Sequence, residues 1–184
     1  MARTKSAASG RKIIDQILTG FGVIATVTLI AIGGLAWFAY SFTTTQVHDE
    51  LSSQQIYFPP KGSPALASDQ IGPYLNQYAG QQLTTGDQAL AYANHFIGVH
   101  LEEIAGGQTY AQLSSKAQAD PTNAKLQGQV ATLFKGETLR GLLLNAYAFW
   151  TVGMIAQIAS FVAFTAAGIM AILTLLGFWH MAKS

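Results

Sequence analysis

An all-α membrane protein, built from two long transmembrane helices extended into an external helical stalk or bundle, is the fold this sequence predicts. Three observations carry it. Two apolar stretches, residues 17–42 and 142–179, each exceed the roughly 20 apolar residues that a helix needs to cross a bilayer. Half of the 184 residues are hydrophobic and 10% are charged, with a mean hydropathy of +0.28, whereas soluble domains are about 25% charged. The polar middle, residues 43–141, carries repeated helix-start signals and no alternating strand pattern.

The first apolar stretch follows a tail, residues 1–16, that holds Arg3, Lys5, Arg11 and Lys12 against Asp15. Its apolar core is too long for a secretory signal. Trp37, Phe38, Tyr40 and Phe42 stand where a cleavable signal has small residues, so an uncleaved anchor is expected. Between the spans lie five basic and eight acidic residues. By the positive-inside rule the basic tail and the last residues, 180–184, face the cytoplasm and the middle domain lies outside. The net charge of +1 gives no indication of nucleic-acid binding, and the lipid bilayer is the first partner. With no cysteine, disulfides, thiolate nucleophiles and Cys-bound metals are excluded.

Beyond the first span, Val47 and Leu51 keep helical spacing up to Pro59 and Pro60, so the helix is expected to continue well past the membrane. The segment from Tyr57 to Pro64 cannot be helical throughout, because prolines lack an amide donor and push their predecessors towards extended geometry. It reads as an ordered turn or strap. Three short helices should follow. Ser68 or Asp69 caps the first, which ends near Gly80. Thr85 with Gln88 and Thr109 with Gln112 make capping-box patterns for the next two. In the middle one Leu90, Ala93, Ile97, Leu101 and Ile104 form one stripe. Asp120 and Pro121 read as N-cap and first residue of a last, very long helix, with Gly136, Gly141 and Gly153 as candidate kinks. Leu126, Val130 and Leu133 mark its packed face before it turns apolar on all sides.

Tyr57–Pro64, the pair Ala79–Gln82 and Thr85–Gln88, Ala93–Leu101 and above all Leu133–Asn145 resemble an actinobacterial family of two-span membrane proteins, whose members often bear the name aromatic ring-opening dioxygenase. The resemblance covers the middle domain and second span. It implies an actinobacterial plasma membrane and brings no established activity. Ring-opening extradiol chemistry needs iron held by histidine and carboxylate ligands with open positions.

The residues nearest to such a set are His95, His100 and Glu103, with Glu102 beside them and His48 on the first helix. At 100° per residue His95 and His100 point about 140° apart and cannot clasp one ion as an HxxxH pair would, while His100 and Glu103 share a face. His95 is expected to be solvated or to touch a neighbouring subunit. A structural role, a metal role and proton sensing near neutrality stand as readings. No cofactor and no enzymatic role are expected.

Where the second helix enters the membrane, Glu137, Gly141 and Asn145 follow each other at four-residue spacing. This edge would line a pore or bind a cation; alternatively Glu137 pairs with Arg140 and Asn145 makes an interhelical hydrogen bond. Gln157 lies well round from Asn145, which breaks any continuous conducting stripe. Small residues at Gly22, Thr26, Gly33 and Ala36 in the first span and at Ala159, Ala163, Ala167 and Ala171 in the second permit close helix approach, either between copies or within one chain. The expectation is a homo-oligomeric or accessory subunit of a larger membrane complex, with a pore or solute conduit as the alternative and a metal-dependent oxygenase as the third.

Overall fold

The computed structural model describes the backbone of residues 2–183, with side chains from residue 13 to 183. The described residues are helical apart from turns and one isolated bridge. The elements are α1 (Ala2–Ser53), α2 (Gly72–Leu75), α3 (Gly86–Tyr92), α4 (Gly98–Ala105), α5 (Tyr110–Ala119) and α6 (Ala124–Lys183). At 1.5 Å rise per residue, α1 and α6 reach about 80 and 90 Å, more than twice the roughly 30 Å of a bilayer core. Both contain stretches apolar enough to cross a membrane. The glycines proposed as kinks do not interrupt α6.

One compact unit consists of α1 up to Phe42 and α6 from Gly153. Thr19, Gly22 and Gly33 are buried on α1, and Gly153, Ser160, Ala163, Ala167 and Thr174 on α6. Positions 19, 26 and 33 recur every seven residues, as do 153, 160, 167 and 174, which is the 3.5-residue period of two helices kept in continuous contact. The contact is made by small residues. A side chain at Gly177 would lie 2.8 Å from the Thr19 hydroxyl, and one at Gly22 would strike Thr174, so each threonine sits over a glycine of the opposite helix. Both hydroxyls are satisfied on their own helix, Thr19 donating to the Asp15 carbonyl and Thr174 to that of Met170. Ser160 Oγ crosses the seam and donates to the Gly33 carbonyl at 2.8 Å, while the Phe164 ring covers Gly33.

This seam corrects the four-residue alanine ladder. Four residues advance about 400°, so each step gains 40° and the ladder swings off the contact line. Ala163 and Ala167 remain buried and Ala171 half-buried, but Ala159 faces outward and Ser160 takes its place. Thr26 and Ala36 are half-buried. The ladder thus serves packing within one chain.

The other unit, residues 43–152, has a core of Val47, Leu51, Phe58, Leu66, Ile71, Leu75, Leu83, Ala89, Ala93, Val99 and Leu143. The proline-rich strap is ordered by pairing with residues 80–83. Phe58 N–H donates to Gln81 O and Leu83 N–H to Ile56 O, both at 2.9 Å, and Gly80 N–H to Pro59 O at 3.1 Å. Phe58 is thereby fixed between Tyr78 and Tyr92, with ring centres at 5.2 and 5.3 Å. Ser68 caps the turn into α2, a single helical turn continued by a 3-10 turn to Tyr78. Both threonine–glutamine capping boxes form. A smaller cluster joins Ala105, Leu113 and Leu133, with Leu126 and Val130 against it.

Two local expectations are corrected. The helix following Thr85 contains a π-turn at Ala93–Ile97. Its extra residue slides the apolar stripe, so that Val99, Leu101 and Ala105 are buried while Ile104 is exposed and Leu90 and Ile97 are half-buried. Asp120 does not cap α6: it ends α5, and its carboxylate accepts from Thr122 and Asn123. Asn123 then caps α6, its Oδ1 accepting from Leu126 N–H at 3.1 Å. The compact unit itself runs from Thr43 to Val152. Leu143 is 1% exposed, and a side chain at Gly86 would collide with the root of Trp150.

Two comparisons test this packing. Ala163→Leu or Ala167→Leu should cost about 1–3 kcal/mol by overpacking, and Ala159→Leu close to nothing; equal effects on thermal unfolding in detergent, followed by circular dichroism, would contradict the seven-residue seam. Gly86→Ala should destabilise by a similar amount, because the atoms it meets are the Trp150 Cβ and Cγ rather than a flexible tip. Gly128→Ala, in open space on the same helix as Trp150, should instead stabilise by about 0.5–1 kcal/mol through helix propensity.

Candidate functional site

The polar residues of the second unit converge on Arg140. It stands on α6 one turn after Gly136, whose missing side chain lets Leu101 of α4 press onto the helix. That contact brings the start of α4 and the π-turn alongside Arg140. The π-turn aims Asn94 at the guanidinium, and Arg140 Nη2 donates to Asn94 Oδ1 at 3.2 Å. Nη1 pairs with Glu137 Oε2 at 3.4 Å. Side-chain exposures of 34% for Arg140 and 47% for Glu137 make this an ion pair of small energetic weight. Arg140 Nε is buried without a hydrogen-bond partner among the described residues, packed near Gly98.

Beside Arg140 lies a cleft of about 630 Å³, lined by α4, the α4–α5 turn, the start of α5 and α6. Asn94, Glu102, Gln108, Glu137 and Arg140 supply its polar groups; Val99, Leu101 and Leu133 are among its apolar ones. Gly107, with φ of +74°, forms the turn in a left-handed conformation that a side chain would strain. Gln108 is anchored at both ends of its amide, donating to the Ala105 carbonyl and accepting from Lys116 Nζ. Tyr110 lies at the mouth, 6.0 Å from the ring of Phe134.

The sequence-predicted polar edge is only partly gathered here. Glu137 and Arg140 are, in the i,i+3 pair expected. Asn145 is exposed, and the interhelical hydrogen bond expected of it is not made among the described residues. Asn94 was not singled out by the sequence, since its role depends on the π-turn and on a partner 46 residues away.

The histidines are engaged separately. His95, expected to be solvated or to touch another subunit, stacks instead on Tyr74 of its own chain at 3.5 Å with the rings 6° from parallel. The π-turn rotates it from the position that uniform helical spacing gave. His100 Nδ1–H donates to the Phe96 carbonyl at 2.7 Å, and its ring leans on that of Phe96. Glu102, Glu103 and His48 are exposed. Among the described residues no three His, Asp or Glu side chains are grouped to hold a metal ion.

No family model, curated protein or solved structure matches this chain.

One titratable group in the core gives a pH test. Burial against Phe58 and Phe96 pushes the Tyr92 phenol above its ordinary value of about 10. The folded state thus holds this proton more tightly than the unfolded chain. The resulting stability is present in full below pH 10 and is lost as pH rises through the folded pKa. Tyr92→Phe should flatten the alkaline limb of a stability–pH curve measured by urea unfolding, and an unchanged limb would remove Tyr92 as its source.

Proposed function

We propose that this chain is a non-enzymatic, two-span plasma-membrane protein whose helical unit lies outside the cell, acting as a homo-oligomeric or accessory subunit of a larger membrane complex. The carrying observation is the outer surface of the helix pair. Only 11% and 17% of the two most apolar windows are buried, and Phe21, Ile24, Leu35, Phe161, Ile172 and Leu175 are more than half exposed. A surface this apolar is stable in lipid or against other apolar helices, not in water.

Four further features support the reading. The seam pairs Thr19 with Gly177, Gly22 with Thr174 and Trp37 with Phe161, so residues 17–42 run alongside the later part of the second apolar stretch, residues 154–179. Each paired segment exceeds the roughly 20 residues that a bilayer crossing needs. The Trp37–Tyr40 ring pair lies at one end of the matched segment and Trp179, with Lys183 Nζ 3.7 Å above its ring, at the other, the positions of interfacial aromatic belts. The basic tail favours cytoplasmic termini. The resemblance to the actinobacterial two-span family agrees with this setting.

A pore is the alternative reading. The Thr–Gly contacts close the seam between the two helices, so a conduit would have to form between copies, with Glu137 and Asn145 on its wall. An oxygenase would require bound iron.

Orientation is read by single cysteines at Ser6 and Gln81 in this cysteine-free chain, using a membrane-impermeant thiol reagent on intact cells. Gln81 should label and Ser6 should not; the reverse would overturn the topology. Native mass spectrometry of gently extracted protein should give a multimer or a stoichiometric partner. A bare monomer would sink the subunit role, and ion flux in liposomes or stoichiometric iron would favour the pore or the oxygenase.

A further inference from the structure

The cleft beside Arg140 suits neither a simple anion nor a simple cation. Its walls set one guanidinium beside the carboxylates of Glu102 and Glu137 and the amides of Asn94 and Gln108. An anion would face two carboxylates, and a cation would face Arg140. A neutral ligand carrying several hydroxyl groups satisfies both kinds of wall, because each hydroxyl donates and accepts. The forked groups present are matched to that need. Carboxylates accept from two neighbouring hydroxyls, and a guanidinium donates to two.

The rim adds the complementary apolar element. Tyr110 lines the cleft and is 39% exposed. Its ring leaves apolar area in water that a flat, C–H-bearing ligand face would cover. A volume of about 630 Å³ lies within the range of about 300–1,000 Å³ typical of small-molecule sites. Gly98 and Gly107 keep the wall free of side chains. The π-turn that delivers Asn94 is of the kind that recurs at functional positions in helices.

We propose that this cleft binds a saccharide: a neutral, polyhydroxylated ring compound whose hydroxyls engage Arg140, Glu137 and Asn94 and whose C–H face rests on Tyr110. The site lies wholly within the unit of residues 43–152 and does not depend on the subunit role or on the number of copies.

The test uses the full chain in lipid nanodiscs, because maltoside and glucoside detergents would themselves present sugars. Saturation-transfer NMR is run with maltose, cellobiose and N,N′-diacetylchitobiose as probes. At least one should show saturable transfer. Tyr110→Ala and Glu137→Gln should each weaken it about tenfold, the scale of one good contact, with helix content unchanged by circular dichroism. Inorganic phosphate and magnesium chloride should not displace the sugar. The proposal is overturned by absence of transfer from all three sugars, by transfer indifferent to both variants, or by displacement with either ionic probe. None of these outcomes bears on topology or oligomeric state, so failure here and failure of the subunit reading are separable.

Discussion

Close approach of a side chain to a glycine on a facing element is the contact on which both units depend. Between the long helices it appears as Thr174 over Gly22, Thr19 over Gly177 and Phe164 over Gly33. In the other unit it appears as Trp150 over Gly86 and Leu101 over Gly136. In lipid there is no hydrophobic gain from burying one apolar helix against another, so association relies on van der Waals contact and interhelical hydrogen bonds, both of which need short distances. The Ser160 hydrogen bond to the Gly33 carbonyl is possible only because Gly33 carries no side chain to hold the helices apart.

The second unit shows how one irregularity organises a site. A regular helix from Thr85 to Gly106 would have put Ile97 and Ile104 on its packed stripe. The π-turn shifts the later half, burying Val99 and Ala105 and directing Asn94 to Arg140 while His95 goes to Tyr74. The polar chemistry of the unit collects around a guanidinium.

Much of the fold was legible in the sequence because its signals are local. The capping boxes at Thr85 and Thr109 are satisfied by residues three positions on, the proline strap follows from missing amide donors, and the apolar runs are long enough to cross a bilayer. Glu137 with Arg140 was legible for the same reason, as neighbours on one helix face. Asp120 misled because two start signals lie three residues apart, and the choice of Asn123 depends on how α5 ends.

What the tertiary structure alone decided involves partners far apart in the chain. Ser160 rather than Ala159 meets α1, because two helices in sustained contact follow a seven-residue seam that a single helix's four-residue spacing cannot reveal. The compact unit extends to Val152, because Gly86 receives Trp150 and Leu143 completes a core made mostly by residues before position 100. Asn94 joins Arg140 only through a π-turn that no pattern of apolar spacing announces. By itself the sequence determined which segments are helical and which are apolar enough for a membrane, since those properties belong to short stretches of chain. Register, unit boundaries and the cleft were decided by packing, since each depends on the distance between residues that only the folded chain brings together.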